Sequence, residues 1–81
     1  MTILPPMEQA ALKALADACN YSLHAHVPTE AVTHRVAKNL RGEVKRALKE
    51  LRKRGLCLIH PTGRSTTWQL TPEGLTVAKS T

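Results

Sequence analysis

The sequence contains few aromatic residues and few acidic ones. Its 81 residues include no phenylalanine, one tryptophan and one tyrosine, and six acidic residues stand against twelve lysines and arginines. Proteins that read single-stranded RNA stack bases on several aromatic rings, so this shortage argues against that class. The net charge of +6 indicates a negatively charged partner instead.

Long apolar runs and a cysteine framework are also missing. No apolar run is long enough to span a bilayer, and the N-terminal MTILPPMEQ lacks the basic leader and apolar core of a secretory signal. Cys19 and Cys57 are too few for a disulfide scaffold, so we expect buried free thiols. These absences predict a cytoplasmic protein without membrane contact, folded as a single domain over residues 1–81.

Motifs for catalysis, metal binding and cofactor binding are not recognisable either. The carboxylates show no pairing suited to acid–base chemistry, the serines lie in no nucleophile elbow, and no glycine-rich loop would bind phosphate. The four histidines lack the C-x-x-C or H-x-x-x-H spacing of metal sites. We therefore expect neither an enzyme nor a protein that holds a metal, a cofactor or a small-molecule ligand.

Hydrophobic periodicity predicts a mainly α fold with a small β-hairpin and a short C-terminal helix. Three helices come first, and the period then changes to that of strands around the turn-rich PTGRS. Trp68, in the return strand, is expected to pack in the core. In chain order, the predicted elements are a helix over 5–20 that ends near Asn20, a strand or extended connection over 21–27, a short helix over 28–39 closed by a left-handed Asn39, a very tight turn, a helix over 40–54 that ends at Gly55, a hairpin over 57–70, and a helix from Thr71 to about Lys79.

The third predicted helix carries the excess positive charge. Residues 35–54 hold nine basic and two acidic residues, whereas the rest of the chain holds three and four. On a helical wheel Leu48 and Leu51 lie within about 40° of Val44. The three side chains form an apolar stripe, which would pack on the domain. The opposite side is cationic. It consists of Gly42, Lys45, Arg46, Lys49 and Lys53.

Acidic residues offset only one edge of this helix. Glu43 and Glu50 share a separate sector, where they can pair with Arg46, Lys53 and Arg54 at three- or four-residue spacing. Lys45 and Lys49, flanked by Arg41 and Arg52, stay uncompensated. An ordinary solvated helix face is the alternative interpretation, although such faces more often alternate in charge.

Residues 40–75 resemble the winged helix-turn-helix of MarR-type and PadR-type transcriptional regulators. The resemblance lies in VKRALKELRKRGLCLIH followed by GRSTTWQLTPEGL, where a charged helix ends in a glycine and an aliphatic run and a hairpin leads into an LTPEG-like helix start. The architecture matches over about residues 7–79. The long additional helices that form the dimer and the ligand pocket in MarR-type proteins have no counterpart in this sequence.

The resemblance implies a duplex DNA-binding protein, a small transcriptional regulator with three helices, a wing and a short C-terminal helix. Helix 40–54 would insert into the major groove, and hairpin 57–70 would be the wing. A winged-helix module for protein–protein or RNA binding stays an alternative, and the alanine-rich first helix leaves a homodimer open. The residues expected at DNA are Arg41, Gly42, Lys45, Arg46, Lys49, Lys53 and Arg64, with His60 as a weaker candidate.

Overall fold

The computed structural model describes residues 4–61 and 66–80. This part of the chain is mainly helical, with a small antiparallel sheet, as the periodicity predicted. Its elements are α1 (Pro6–Ala18), β1 (Val27–Pro28), α2 (Thr29–Thr33), a 3₁₀ turn (Lys38–Leu40), α3 (Arg41–Lys53), β2 (Cys57–Pro61), β3 (Thr66–Leu70) and α4 (Pro72–Ser80).

The sheet contains one strand more than the predicted hairpin. β2 and β3 pair antiparallel from Cys57 opposite Leu70 to Pro61 opposite Thr66, which confirms the hairpin strands. β1 adds two residues to the other edge of β3, with Val27 opposite Trp68. The sequence left residues 21–27 open between a strand and a connection. Within that segment only Val27 belongs to a strand.

The core forms where α1 and α3 pack against each other and against the sheet. The predicted stripe of α3 is confirmed, because Val44, Leu48 and Leu51 have no exposed surface. Leu12 and Leu15 of α1 are buried in the same cluster. Each such side chain stabilises the fold by about 1.5–3 kcal/mol relative to an exposed one, so this contact fixes the orientation of α3.

Two helices end as the sequence predicted. At the end of α3, Gly55 has a φ of +77°, and the backbone N–H of Leu56 donates to the carbonyl of Leu51. Asn20 has a φ of 54° after α1, and the N–H of Tyr21 donates to the carbonyl of Ala16. Both ends show the six-to-one hydrogen bond of a Schellman motif, which needs a left-handed residue and therefore favours glycine or asparagine.

The second helix begins at Thr29 as predicted, but its predicted end was wrong. α2 ends at Thr33 instead of Asn39, and Asn39 lies in the 3₁₀ turn without a left-handed conformation. Arg41 contributes to this ending, because its Nε donates at 3.3 Å to the carbonyl of Thr33, the last residue of α2. The β-branched Thr33 and Val36 also weaken helix propensity here. Residues 34–40 thus make a longer connection than the very tight turn expected.

The junction between β3 and α4 is closed by Thr71 and Gly74. The Thr71 hydroxyl donates to the carbonyl of Gly55 at 2.7 Å and accepts from the backbone N–H of Gly74 at 3.0 Å. Thr71 therefore caps α4 and ties it to the end of α3. Gly74 is buried directly against the backbone of Leu56, so the LTPEG segment joins three elements at one point.

Both cysteines are buried free thiols, as expected from the sequence. Burial raises the pKa of Cys57 to about 12 from its ordinary value of 9.0, and the Cys57 Sγ donates to the carbonyl of Leu48 at 3.7 Å. Burial also raises the pKa of Cys19. The folded chain therefore holds these protons at a pH where the unfolded chain releases them.

We expect this difference to destabilise the protein at alkaline pH. Between pH 9 and 12 the native state binds more protons than the unfolded state, so the free energy of unfolding falls as pH rises. For Cys57 alone the loss is about 1 kcal/mol at pH 10, measurable as a lower urea midpoint than at pH 8. In Cys57→Ala, the drop between pH 8 and pH 10 should shrink by that amount. An equal drop in both proteins would show that Cys57 does not retain its proton.

Candidate functional site

The outward side of α3 is a continuous row of exposed cations. We call Lys45, Arg46, Lys49 and Lys53 the cationic face, and all four side chains are exposed on a helix whose opposite stripe is buried. Lys45 and Lys49 lie one turn apart on the same side. The structure thus places both lysines on a helix and leaves them uncovered by the described residues.

The acidic residues of α3 neutralise little of this face. Lys53 Nζ lies 3.5 Å from Glu50 Oε1, which confirms one of the predicted pairs. Both side chains are largely exposed, and such pairs contribute about 0–1 kcal/mol. Within residues 4–61 and 66–80, no ion pair involves Glu43, Lys45, Arg46 or Lys49.

Arg54 is exposed, but it pairs with a residue that the sequence did not suggest. Its Nε donates to Glu8 Oε1 at 2.7 Å, and the Glu8 side chain is only 12% exposed. The predicted pairing of Arg54 with Glu50 is therefore wrong. The short bond joins the first turn of α1 to the end of α3, so it helps to hold α3 on the core.

Arg41 and Gly42 begin α3 and differ in freedom. Arg41 is half-buried, and its bond to the Thr33 carbonyl restrains the guanidinium. Gly42 is exposed, and a Cβ added there would have no heavy atom within 4 Å. The fold itself therefore does not require a glycine at residue 42, which leaves open space for another molecule to approach the backbone.

Of the two hairpin residues expected to contact DNA, the structure describes only His60. Arg64 lies outside the described residues. His60, on β2, is half-buried, and its Nε2 lies 2.7 Å from Gln69 Oε1. The Gln69 amide in turn donates to the carbonyl of Leu23 at 2.6 Å, and the His60 ring lies 4.5 Å from the ring of His26. His60 is thus engaged in holding the sheet to the segment after α1.

A cleft lies between α2, α3 and the sheet on the side of Lys45 and Lys49. It has a volume of about 330 Å³. We call it the α3–sheet cleft. Trp68 lies at its floor, buried as the sequence predicted, and donates its indole N–H to the Thr29 hydroxyl at 2.8 Å. Its lining residues are Thr29, Glu30, Thr33, Lys45, Lys49, Ile59, Thr66 and Trp68.

Sequence reasoning missed the residues that α2 contributes to this cleft. Thr29 and Glu30 were interpreted only as the start of a helix, and Thr33 as part of its length. Their position beside Lys45 depends on how α2 packs against α3 and β3, which local periodicity does not encode. The single available signal was the helix-start pattern itself, and it carries no information about a binding surface.

In the described part of the chain, no group of three or more histidine, cysteine, aspartate or glutamate side chains could hold a metal ion. No helix there is long and apolar enough to cross a membrane.

No protein-family model matches the chain, and no curated protein matches it significantly.

Proposed function

We propose that the chain is a duplex DNA-binding protein, a small transcriptional regulator of the winged helix-turn-helix type. In this proposal α3 enters the major groove and the β2–β3 hairpin is the wing. The order of α2, α3 and the hairpin supports it, since a helix pair followed by a hairpin is the layout of such proteins. The seven-residue connection between α2 and α3 is longer than the usual three- or four-residue turn.

The observation that carries the proposal is the cationic face of α3, on which only Lys53 has an ion-pair partner in the described part of the chain. Thirteen helical residues make a rod about 20 Å long, and the major groove, about 12 Å wide, admits one α-helix. Lysines and arginines on such a rod neutralise phosphates on both sides of the groove. Because Val44, Leu48 and Leu51 anchor the helix, its cations are presented without loss of the core.

We predict a steep dependence of duplex affinity on salt. About five neutralised phosphates per domain give a slope near −4 to −5 for log K against log salt. Fluorescence anisotropy with a labelled duplex between about 50 and 200 mM salt measures this slope. A slope near zero would contradict electrostatic binding and favour a protein–protein module.

Selection from a random pool of duplexes separates two forms of this function. A clear consensus would identify a sequence-specific regulator, as expected if arginines of α3 bond guanine edges. Binding without a consensus would mean an architectural role with contacts to phosphates only. Competition by structured RNA is the second arm, and RNA that displaces the duplex at equal concentration would overturn the preference for DNA.

A further inference from the structure

We infer that the α3–sheet cleft is the seat of a DNA phosphate, held by the Thr29 hydroxyl together with Lys45 and Lys49. This inference rests on the proposed function and assigns different tasks to residues of the same surface. The cleft would fix one strand of the duplex by its backbone. Base reading would fall to other residues of α3.

The first feature of the cleft is the unused donor of the Thr29 hydroxyl. An indole N–H only donates, so the 2.8 Å bond from Trp68 Nε1 occupies a lone pair of the Thr29 oxygen. The hydroxyl proton is thus available to an acceptor other than Trp68, and no such acceptor is present within residues 4–61 and 66–80. The neighbouring Thr33 differs, because its hydroxyl donates to the carbonyl of Glu30 at 3.4 Å. Thr29 is therefore a donor held ready at the cleft.

The second feature of the cleft is the charge that Lys45 and Lys49 bring to it. Lys45 and Lys49 both line the cleft, and neither has an ion-pair partner in the described part of the chain. Two ammonium groups and one hydroxyl donor match the several acceptor oxygens of a phosphate. Lysine binds phosphate as a point charge and arginine prefers the bidentate bond to guanine, so this surface suits a backbone contact better than base reading.

The third feature of the cleft is its size. A volume of about 330 Å³ equals that of about ten water molecules, enough for a phosphate and part of the adjoining sugar. Ile59 and the buried Trp68 give the cleft an apolar floor, which a sugar can cover. Glu30 also lines the cleft, and its carboxylate opposes an anion there. Glu30 therefore lowers the affinity of the seat for phosphate, so removal of its charge should strengthen binding.

The decisive experiment measures duplex affinity for three variants at fixed salt. Thr29→Val should weaken binding about tenfold, the value of one charge-assisted hydrogen bond, and equally for all sequences. The salt slope should not change, because a neutral donor releases no counterion. Thr29→Ser retains the hydroxyl and should bind like the parent. Glu30→Gln should bind about threefold tighter, because it removes a like charge from the seat.

Tryptophan emission provides a second readout that does not need DNA. Trp68 is the only tryptophan and forms the floor of the cleft, so inorganic phosphate titrated at constant ionic strength against chloride should change its emission saturably, on the order of millimolar. The change should disappear in Thr29→Val. Matching emission of that variant and the parent without phosphate would show that the indole has kept its place.

The outcomes separate this inference from the proposed function. Parent-like duplex affinity of Thr29→Val and Glu30→Gln, with the steep salt slope retained, would overturn the phosphate seat and leave DNA binding intact. An emission response to phosphate in a protein that binds no duplex would support an oxyanion site and overturn its assignment to DNA. A change in emission of Thr29→Val before any phosphate, with parent-like affinity of Glu30→Gln, would reduce Thr29 to a structural role.

Discussion

Replacing both Lys45 and Lys49 by glutamate should weaken duplex binding by at least about 100-fold at 0.1 M salt. Each lost phosphate contact costs about tenfold at that salt concentration, and the two new carboxylates add repulsion. The slope of log K against log salt should fall by about two. The fold should stay intact, because both side chains are exposed and the buried stripe of α3 is untouched. Anisotropy titrations at several salt concentrations measure both effects.

The matched control is the double variant Lys13→Glu and Lys79→Glu. These lysines are exposed on α1 and α4, so the control has the same net charge as the test variant without altering α3. We expect a loss of only a fewfold, because the charges lie away from the cationic face. Parent-like affinity of the Lys45 and Lys49 variant in low salt would refute α3 as the contact element. Equal losses in the two variants would show that only net charge matters.

Replacing Gly74 by alanine should strongly destabilise the fold. A Cβ at this position would overlap the carbonyl oxygen of Leu56 and lie 2.8 Å from its carbonyl carbon. The obstacle is backbone, so no side-chain rotation relieves it, and α4 must move away from the end of α3. Overpacking of this kind costs about 2–3 kcal/mol, a drop in melting temperature of about 10–20 °C for a domain of this size. Thermal unfolding followed by circular dichroism measures it.

Gly42→Ala is the control for glycine substitution itself. Residue 42 lies within α3 with open space around it, so alanine there should raise stability by about 0.5 kcal/mol through helix propensity. The two variants add the same methyl group and should move the melting temperature in opposite directions. Similar melting temperatures for Gly74→Ala and the parent would mean that α4 adapts without loss of packing.

The parts of the fold that follow from local pattern could be predicted from the sequence. The period of Val44, Leu48 and Leu51 defined both the buried stripe of α3 and the opposite cationic face. Gly55 ended that helix because a left-handed residue is needed there, and the change of period after it marked the hairpin. These features depend on neighbouring residues alone, so the chain itself encodes them.

The missed features depend on contacts between distant residues. The predicted second helix continued to Asn39, whereas the Arg41 guanidinium binds the Thr33 carbonyl and the chain turns away after α2. Glu8 and Arg54 are 46 residues apart, and nothing in either neighbourhood indicates the other. The α3–sheet cleft is likewise a product of packing. A one-dimensional pattern does not contain these distances.

The meeting of α3, the hairpin and α4 at Leu56 has a consequence for any partner. The backbone N–H of Leu56 donates to the carbonyl of Leu51, and the Leu56 carbonyl accepts from the N–H of Thr71. Gly74 lies directly against the Leu56 backbone. Main-chain contacts of this kind resist bending, so we expect the angle between α3 and β2 to change little on binding. A duplex that touches both elements must therefore supply the shape change itself. Duplexes with stiff base tracts should then bind this protein with a different affinity from duplexes with easily kinked base steps. The difference should appear even where those sequences lie at positions that no side chain reaches.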